Sequence, residues 1–460
     1  MSKMIKKTII LAAIGASIVA CANNPLRSYK DDSDRTLNNI SNGATDTAVY
    51  GNSDVIYYME NGLYQRMLTR YDTSNSQLAK AQKTIDDWVN SWANTRGGQL
   101  TDSMTQMMVN DSAVDYQPKG YEKTALATYR ALNHIDLNNW QDARVEIKKM
   151  YQTEVAIQNY NQALYMQTQA DDASYQADQQ KNMVHQQIMN KYDFSTINSP
   201  QVLALKNGYQ SAVSHYLAGF VFEALGEPSL SRPGYVNAEQ LNPHGGLSKK
   251  SINNLDNNQT KKPGYTNLLI IEEVGHAPQY KSKQIPLVFN YNSSGSGKAC
   301  INNINLFFPE LVVDPQGTSS YSYSVDNKRH QPELYTDYNL MAARYLHDQM
   351  PHLIARNIAA AIRNIGASQA SCNATDSDWG TGLSIAASLT GFLLDHADER
   401  TWVLLPSRVY LNRVQLPYGS HTITLNVNGQ DYSKVVTLNA PYQILDMRVL
   451  QNKVFFMNQQ

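Results

Sequence analysis

An α+β fold, helical in its first half and built on an antiparallel sheet or sandwich in its second, follows from three observations on this 460-residue chain. Helix–turn–helix text recurs between residues 46 and 245. Alternating β-type text with packed helices dominates residues 266–460. A polar stretch without apolar period, residues 246–265, lies between them and reads as a linker.

Residues 1–20 read as a targeting segment. Lys3, Lys6 and Lys7 precede the apolar run "TIILAAIGASIVA". That run is shorter than the ~20 apolar residues a spanning helix needs, and the pattern is that of a secretory signal. It ends Ile18-Val19-Ala20-Cys21, which resembles the bacterial lipobox. The resemblance implies cleavage before Cys21, acylation of its thiol and a stable anchor of two or three chains. Ala22, where an Asp would retain the protein at the inner membrane, implies sorting to the outer membrane. Residues 21–45 are polar with little periodicity and read as a flexible tether.

In residues 46–245 three units repeat one plan. "DVIYYMENGLYQRMLTR" and "SQLAKAQKTIDDWVNSW" flank "YDTSN", where Ser74 or Asn75 would cap the second helix. Leu78, Ala81 and Ile85 share a face. Ala127, Ala131 and Ile135 precede a turn at Asn138-Asn139, and Ala143, Ile147 and Met150 follow it. "GYQSAVSHYLAGFVFEALGEP" stops at Gly226 with Pro228 beyond. Small residues at facing positions and short polar turns are the mark of tetratricopeptide-like helix pairs. Their uneven spacing makes the array degenerate. The Gln-, Tyr- and Met-rich stretch "QNYNQALYMQTQADDASYQADQQKNMVHQQIMNKY" reads as a long helix or helical hairpin inserted into it.

In residues 266–460, "TNLLIIEEVG" and "KQIPLVFNY" read as a hairpin-like unit, with "INNINLFFPELVV" as a further strand. "TDYNLMAARYLHDQMPHLIARNIAAAIRNIGAS" is helical, with a new or kinked helix from Pro351. "WGTGLSIAASLTGFLLDHAD" reads as a short apolar helix. "TWVLLPSRVYLNRV" and four later runs read as strands. Asn428-Gly429 is a hairpin turn, and Ile423, Leu425 and Val427 alternate with polar neighbours.

Few of the chemical motifs survive inspection. "SSGSGKA" lacks the first Gly and the Ser or Thr of a phosphate loop. "GLSIA" lacks the second Gly of a nucleophile elbow. His347 and His352 stand five apart across Pro351, not at the i, i+4 spacing of zinc ligands. His276 follows Gly275 and reads as a turn residue. Glu272 and Glu273 are neighbours in a strand, so they point to opposite faces and cannot act jointly as acid and base. No catalytic, cofactor-binding or metal-ligating set is therefore expected. A net charge of −1 supplies no field to recruit nucleic acid. Of the three Cys, acylation of Cys21 would leave Cys300 and Cys372 as an even pair in an oxidising compartment. Both sit in polar, loop-like text, and a disulfide between them is expected. The concentrated motif "HADERTW" holds Asp398, Arg400 and Trp402. It reads either as a polar site or as a corner, with an Asp–Arg pair tying a helix end to the first strand and Trp402 in the core. The corner is the favoured reading.

"IIEEVGHAPQYKSKQIPL", "ARYLHDQMPHLIARNIAAAIRN", "DHADERTWVLLPSRVYLNRVQLPYGSHTITL" and "YRALNHIDLNNWQDARVEIKK" together resemble a family of uncharacterised Gram-negative lipoproteins, over most of residues 50–455. The most specific pieces are Ala397-Asp398-Arg400-Trp402-Pro406 and Met350-Pro351 with Ala355-Arg356. Glu399 departs from the small polar residue more usual there, and "ADDASYQADQQK" is poorly matched. The resemblance implies a lipobox, a tetratricopeptide-like half and a β-rich half. It also implies genes placed near lipoprotein activators of peptidoglycan synthases. It supplies no activity. The expected function is a non-enzymatic binding or scaffold lipoprotein for envelope proteins, with a partner's peptide or helix on the concave face of the array. The alternatives are an envelope hydrolase acting on peptidoglycan and a lipid-binding transport component, the latter suggested by apolar helices at 353–365 and 382–394.

Overall fold

The computed structural model describes residues 25–42, 54–93, 116–292, 299–313, 321–373, 397–450 and 453–457. The chain is α+β, with a helical N-terminal half and a β-rich C-terminal half. Among the described residues no helix is long and apolar enough to cross a membrane.

The helical half opens with α1 (Pro25–Ser41), where a tether was expected. Ser33, Thr36, Leu37 and Ile40 are buried at i, i+3, i+4, i+7 spacing. Two of the four are hydroxyl residues, so the stripe is weak in the sequence although it packs as an amphipathic face.

Three helix pairs follow: α2 (Val55–Met67) with α3 (Tyr71–Ala93), α4 (Gly120–Asp136) with α5 (Trp140–Ala177), and, after α6 (Gln179–Lys191) and the single turn α7 (Pro200–Leu203), α8 (Ala212–Ala224) with α9 (Pro228–Leu241). One device closes all three. Thr69, Asn138 and Gly226 take φ of 58°, 58° and 75°. The N–H of the next residue then reaches back to the helix: Arg70 to Gln65 O (2.9 Å), Asn139 to His134 O (2.7 Å) and Glu227 to Phe222 O (2.8 Å). These are 6→1 bonds that satisfy carbonyls at a helix end. α3 therefore starts at Tyr71, ahead of "SN", and Ser74 is inside the helix instead of capping it.

The pairs also cross alike. Ser74 Oγ donates to Gly62 O (2.7 Å) and Ser231 Oγ to Gly219 O (2.8 Å), each twelve residues apart. Ala131 and Ala143 stand at the same positions about Asn138. The close approach demands small residues: a Cβ on Gly219 would lie 2.6 Å from the Tyr235 ring. The Gln- and Met-rich stretch is the outer part of α5 together with α6, which Asp178 caps through the Gln180 and Lys181 N–H groups. The expected linker contains another helix, α10 (Leu247–Asp256), with Leu247 and Ile252 buried.

The β half holds β1 (Tyr265–Val274), β2 (Gln279–Asn292), β3 (Ala299–Val312), β4 (Tyr323–Val325), β5 (Lys328–His330), β6 (Glu333–Asp337), the long α11 (Tyr338–Asn373), β7 (Arg408–Pro417), β8 (Gly419–Val427), β9 (Gln430–Leu438), β10 (Tyr442–Leu450) and β11 (Lys453–Met457). A five-stranded sheet runs β11-β10-β1-β7-β6, antiparallel except for the parallel pair β1–β10. A four-stranded sheet runs β5-β4-β8-β9. β1 and β2 are not a hairpin: β2 pairs with β3 in a sheet of two. The chain turns at Gly275 (φ 67°), and the Ala277 N–H bonds to Leu405 O (2.6 Å), which carries β2 away from β1. The Asn428-Gly429 turn joins β8 to β9, both residues at positive φ. Ile423, Leu425 and Val427 are buried, as their alternation requires.

Strand alternation divides the core. Leu268 and Ile270 of β1 face Ile423, Leu425 and Val427 across a sandwich interior. Leu269 and Ile271 face the other way, into a core shared with Ile56, Leu126 and Phe220 of the helices. The layers are thus helices, five-stranded sheet, four-stranded sheet. Beside them α11 covers β2 and β3. α11 passes through Pro351 without a break. Its stripe Leu346, Met350, Ile354, Ile358 stays in register, and Pro351 lies on the exposed side of the helix. The apolar helix expected at 382–394 lies outside the described residues.

Candidate functional site

Residues 401–407, expected to open a strand, form an irregular strap that precedes β7. A chain without a ladder must satisfy its polar groups in other ways when buried. Here two helix carboxylates do so. Glu122 stands in the first turn of α4 and accepts from the Lys119 N–H (2.7 Å), the Trp402 N–H (2.8 Å), Thr401 Oγ1 (3.1 Å) and the Tyr116 hydroxyl. Glu60 of α2 accepts from the Val403 N–H (2.6 Å) and the Leu404 N–H (3.0 Å). Both carboxylates are fully buried. Arg448 of β10 donates to Leu404 O (2.9 Å) and Gly275 O (2.7 Å).

The "HADERTW" residues begin this strap. Arg400 holds Asp398 through two parallel bonds, Nε to Oδ1 (3.0 Å) and Nη2 to Oδ2 (2.9 Å). Its Nη1 reaches Asp54, the N-cap of α2, at 3.3 Å. Lys119 Nζ donates to Arg400 O (2.6 Å) and stands over the Tyr280 ring. Burial pulls the Lys119 ammonium below its ordinary value, against the pull of Glu122 and Asp398. Glu399 accepts from the Ser282 N–H (2.8 Å). Trp402 is fully buried, edge-on to Tyr129. Trp402 is in the core, and the helix end that Asp398 and Arg400 are expected to tie lies outside the described residues. The pair ties the strap to α2 of the helical half, not to the strand that follows.

Further polar ties join the helices to the five-stranded sheet. Arg66 of α2 donates to Asn133 (2.7 Å), to Asp136 (2.8 Å) and to Asp446 of β10. Tyr129 donates to Glu273 (2.9 Å), which faces Arg448. Glu223 accepts from Arg413, Tyr235 (2.6 Å) and Tyr442 (3.0 Å). Glu272 points to the opposite face from Glu273 and accepts from the Tyr321 N–H (2.7 Å). Burial raises its carboxyl to about 8.

The remaining candidates disperse. His347 pairs with Asn198 (2.9 Å), and burial with the neighbouring Arg356 lowers His352 to about 4. His276 contacts Ala277 O in its turn. Among the described residues no His, Cys, Asp or Glu cluster is arranged to hold a metal. "GLSIA", Ser293–Lys298 and Cys21 lie outside the described residues. The side chains of Cys300 and Cys372 also lie outside them, but their backbones do not. Cys300 is in β3 and Cys372 in the last turn of α11, not in loops.

The expected Cys300–Cys372 bridge therefore falls outside the described side chains. Non-reducing peptide mapping of exported protein is expected to return a Cys300–Cys372 pair. Alkylation of both thiols without reductant would rule the bridge out.

What the sequence did not reveal is the receiving side of the strap, Glu60, Glu122 and Arg448, or the Arg66 tie to β10. One signal was present. Asp446 and Arg448 alternate within the otherwise apolar "YQILDMRVL", on the face that meets the helices. Comparison of the chain with known protein families, with curated proteins and with solved structures returned no match.

Proposed function

We propose that this protein is an outer-membrane-anchored periplasmic lipoprotein that binds other envelope proteins without enzymatic chemistry, in the neighbourhood of peptidoglycan synthesis. Cys21 carries the anchor in this reading. The partner surface differs from the one first expected, because the face of the helices that turns inward packs on the chain's own sheet and strap.

One observation carries the reading. The outer part of α5 together with α6 exposes Val155, Tyr165, Met166, Met183 and Met189. No charged residue occurs between Ala156 and Ala170. Large apolar side chains on a charge-poor surface mark contact sites, and Met thioethers adapt to irregular partners. A photo-crosslinking residue at Tyr165 or Met183, activated in intact cells, is expected to capture the same envelope protein. One at Val435, on the far sheet, is expected to miss it. Equal capture at all three positions, or none at Tyr165 and Met183, would defeat this reading.

A further inference from the structure

Only three residues separate Cys21 from Pro25, where α1 begins. Those four backbone steps cover at most about 14 Å. α1 is itself seated on the body by its stripe of Ser33, Thr36, Leu37 and Ile40. The Tyr57 hydroxyl of α2 donates to Asp32 (3.3 Å). From Asp32 back to Pro25 the helix adds about 10 Å. Cys21 is therefore held within about 30 Å of the Tyr57 hydroxyl. A folded chain of this length has a radius of gyration of about 23 Å and measures more than twice that across. The tether is shorter than the body it holds.

We infer that the α1 side of the molecule rests directly on the lipid surface, with the four-stranded sheet turned away from it; the inference rests on acylation of Cys21. The occupant is the headgroup layer of the leaflet that takes the acyl chains. No charge match is required, since the short connection supplies the proximity. α1 packs on the helix side of the five-stranded sheet, whereas Val435 is exposed on the outer face of β9. That face is two layers off, about 20 Å further from the bilayer. Partners recruited by α5 and α6 are then met within one body diameter of the membrane.

The test uses the full-length acylated protein in phosphatidylethanolamine–phosphatidylglycerol vesicles that carry headgroup spin-labelled lipid. A fluorophore is placed at the exposed Asp34 of α1 or at Val435, through an encoded click-reactive residue. Quenching is expected to be several-fold stronger at Asp34, and a long Gly/Ser insert between Ala22 and Asn23 is expected to erase the difference. Equal quenching at both positions without the insert overturns the inference while leaving the anchor intact. Failure to associate with vesicles at all overturns the anchor and the inference with it.

Discussion

Arg66→Met is expected to destabilise the protein by about 3–5 kcal/mol, the usual cost of stranding a buried ion-pair partner. Arg66 is buried between two carboxylates, Asp136 and Asp446, and Asp446 has no exposure at all. Burial alone would lower the guanidinium's value, yet the two carboxylates together hold it raised. Removing it leaves Asp446 facing Asp136 and Glu273 in a space that already pushes its carboxyl upward. Asp446→Leu in the same chain should recover part of the loss, because a buried charge with no partner is worse than an apolar side chain of similar volume. Urea unfolding of both variants measures this. A loss below about 1 kcal/mol for Arg66→Met would place the pair among weak surface contacts and contradict the burial described above.

Glu272→Gln is expected to do the opposite and stabilise. Burial holds the Glu272 carboxyl at about 8 in the fold, against an ordinary value of 4.5. The native state therefore binds a proton that the unfolded chain has lost across that window, so stability falls as pH rises from about 4.5 to about 8. Gln does not titrate, and its carbonyl can still accept from the Tyr321 N–H. The advantage of the variant should be near zero at pH 4.5, reach about 3 kcal/mol at pH 7 and level off above pH 8. Unfolding free energies of the two proteins across this range give the curve directly. A difference that does not change with pH would mean that Glu272 is ionised in the fold.

The order of helices and strands was legible because local signals govern it. Asn428-Gly429 can close a tight hairpin by itself, and Gly226 followed by Pro228 can end a helix by itself. Thr69 shows the limit of such signals. A β-branched residue is a poor candidate for positive φ, so the sequence points to a turn a few residues late, at "YDTSN". The α1 stripe was hidden by Ser33 and Thr36, whose hydroxyls look exposed in sequence and pack like small apolar groups in the fold. The pairing of β1 with β10 and β7 is set by contacts between residues such as Asn267 and Tyr442 or Val274 and Arg408, well over a hundred residues apart, which local text does not carry. The corner was half legible. Asp398 and Arg400 are two apart and can be matched by eye, but Glu122 and Glu60 lie some 280 and 340 residues from the strap. A lone Glu in a helix looks like any solvated one.

β1, near the middle of the chain, is the central strand of its sheet, and both of its neighbours come from the last fifty-odd residues. A polypeptide threaded outward from its N-terminus would deliver α2, α4 and β1 long before β7 and β10 arrive. Until then both edges of β1 lack their partner strands, and the carboxylates of Glu60 and Glu122 lack the strap N–H groups they bind. Such far-apart contacts slow folding, because loop closure precedes any reward. Closure of this sheet is thus tied to delivery of residues 408–450, and a polypeptide stalled short of residue 450 would carry an open sheet edge that invites aggregation or a holding chaperone.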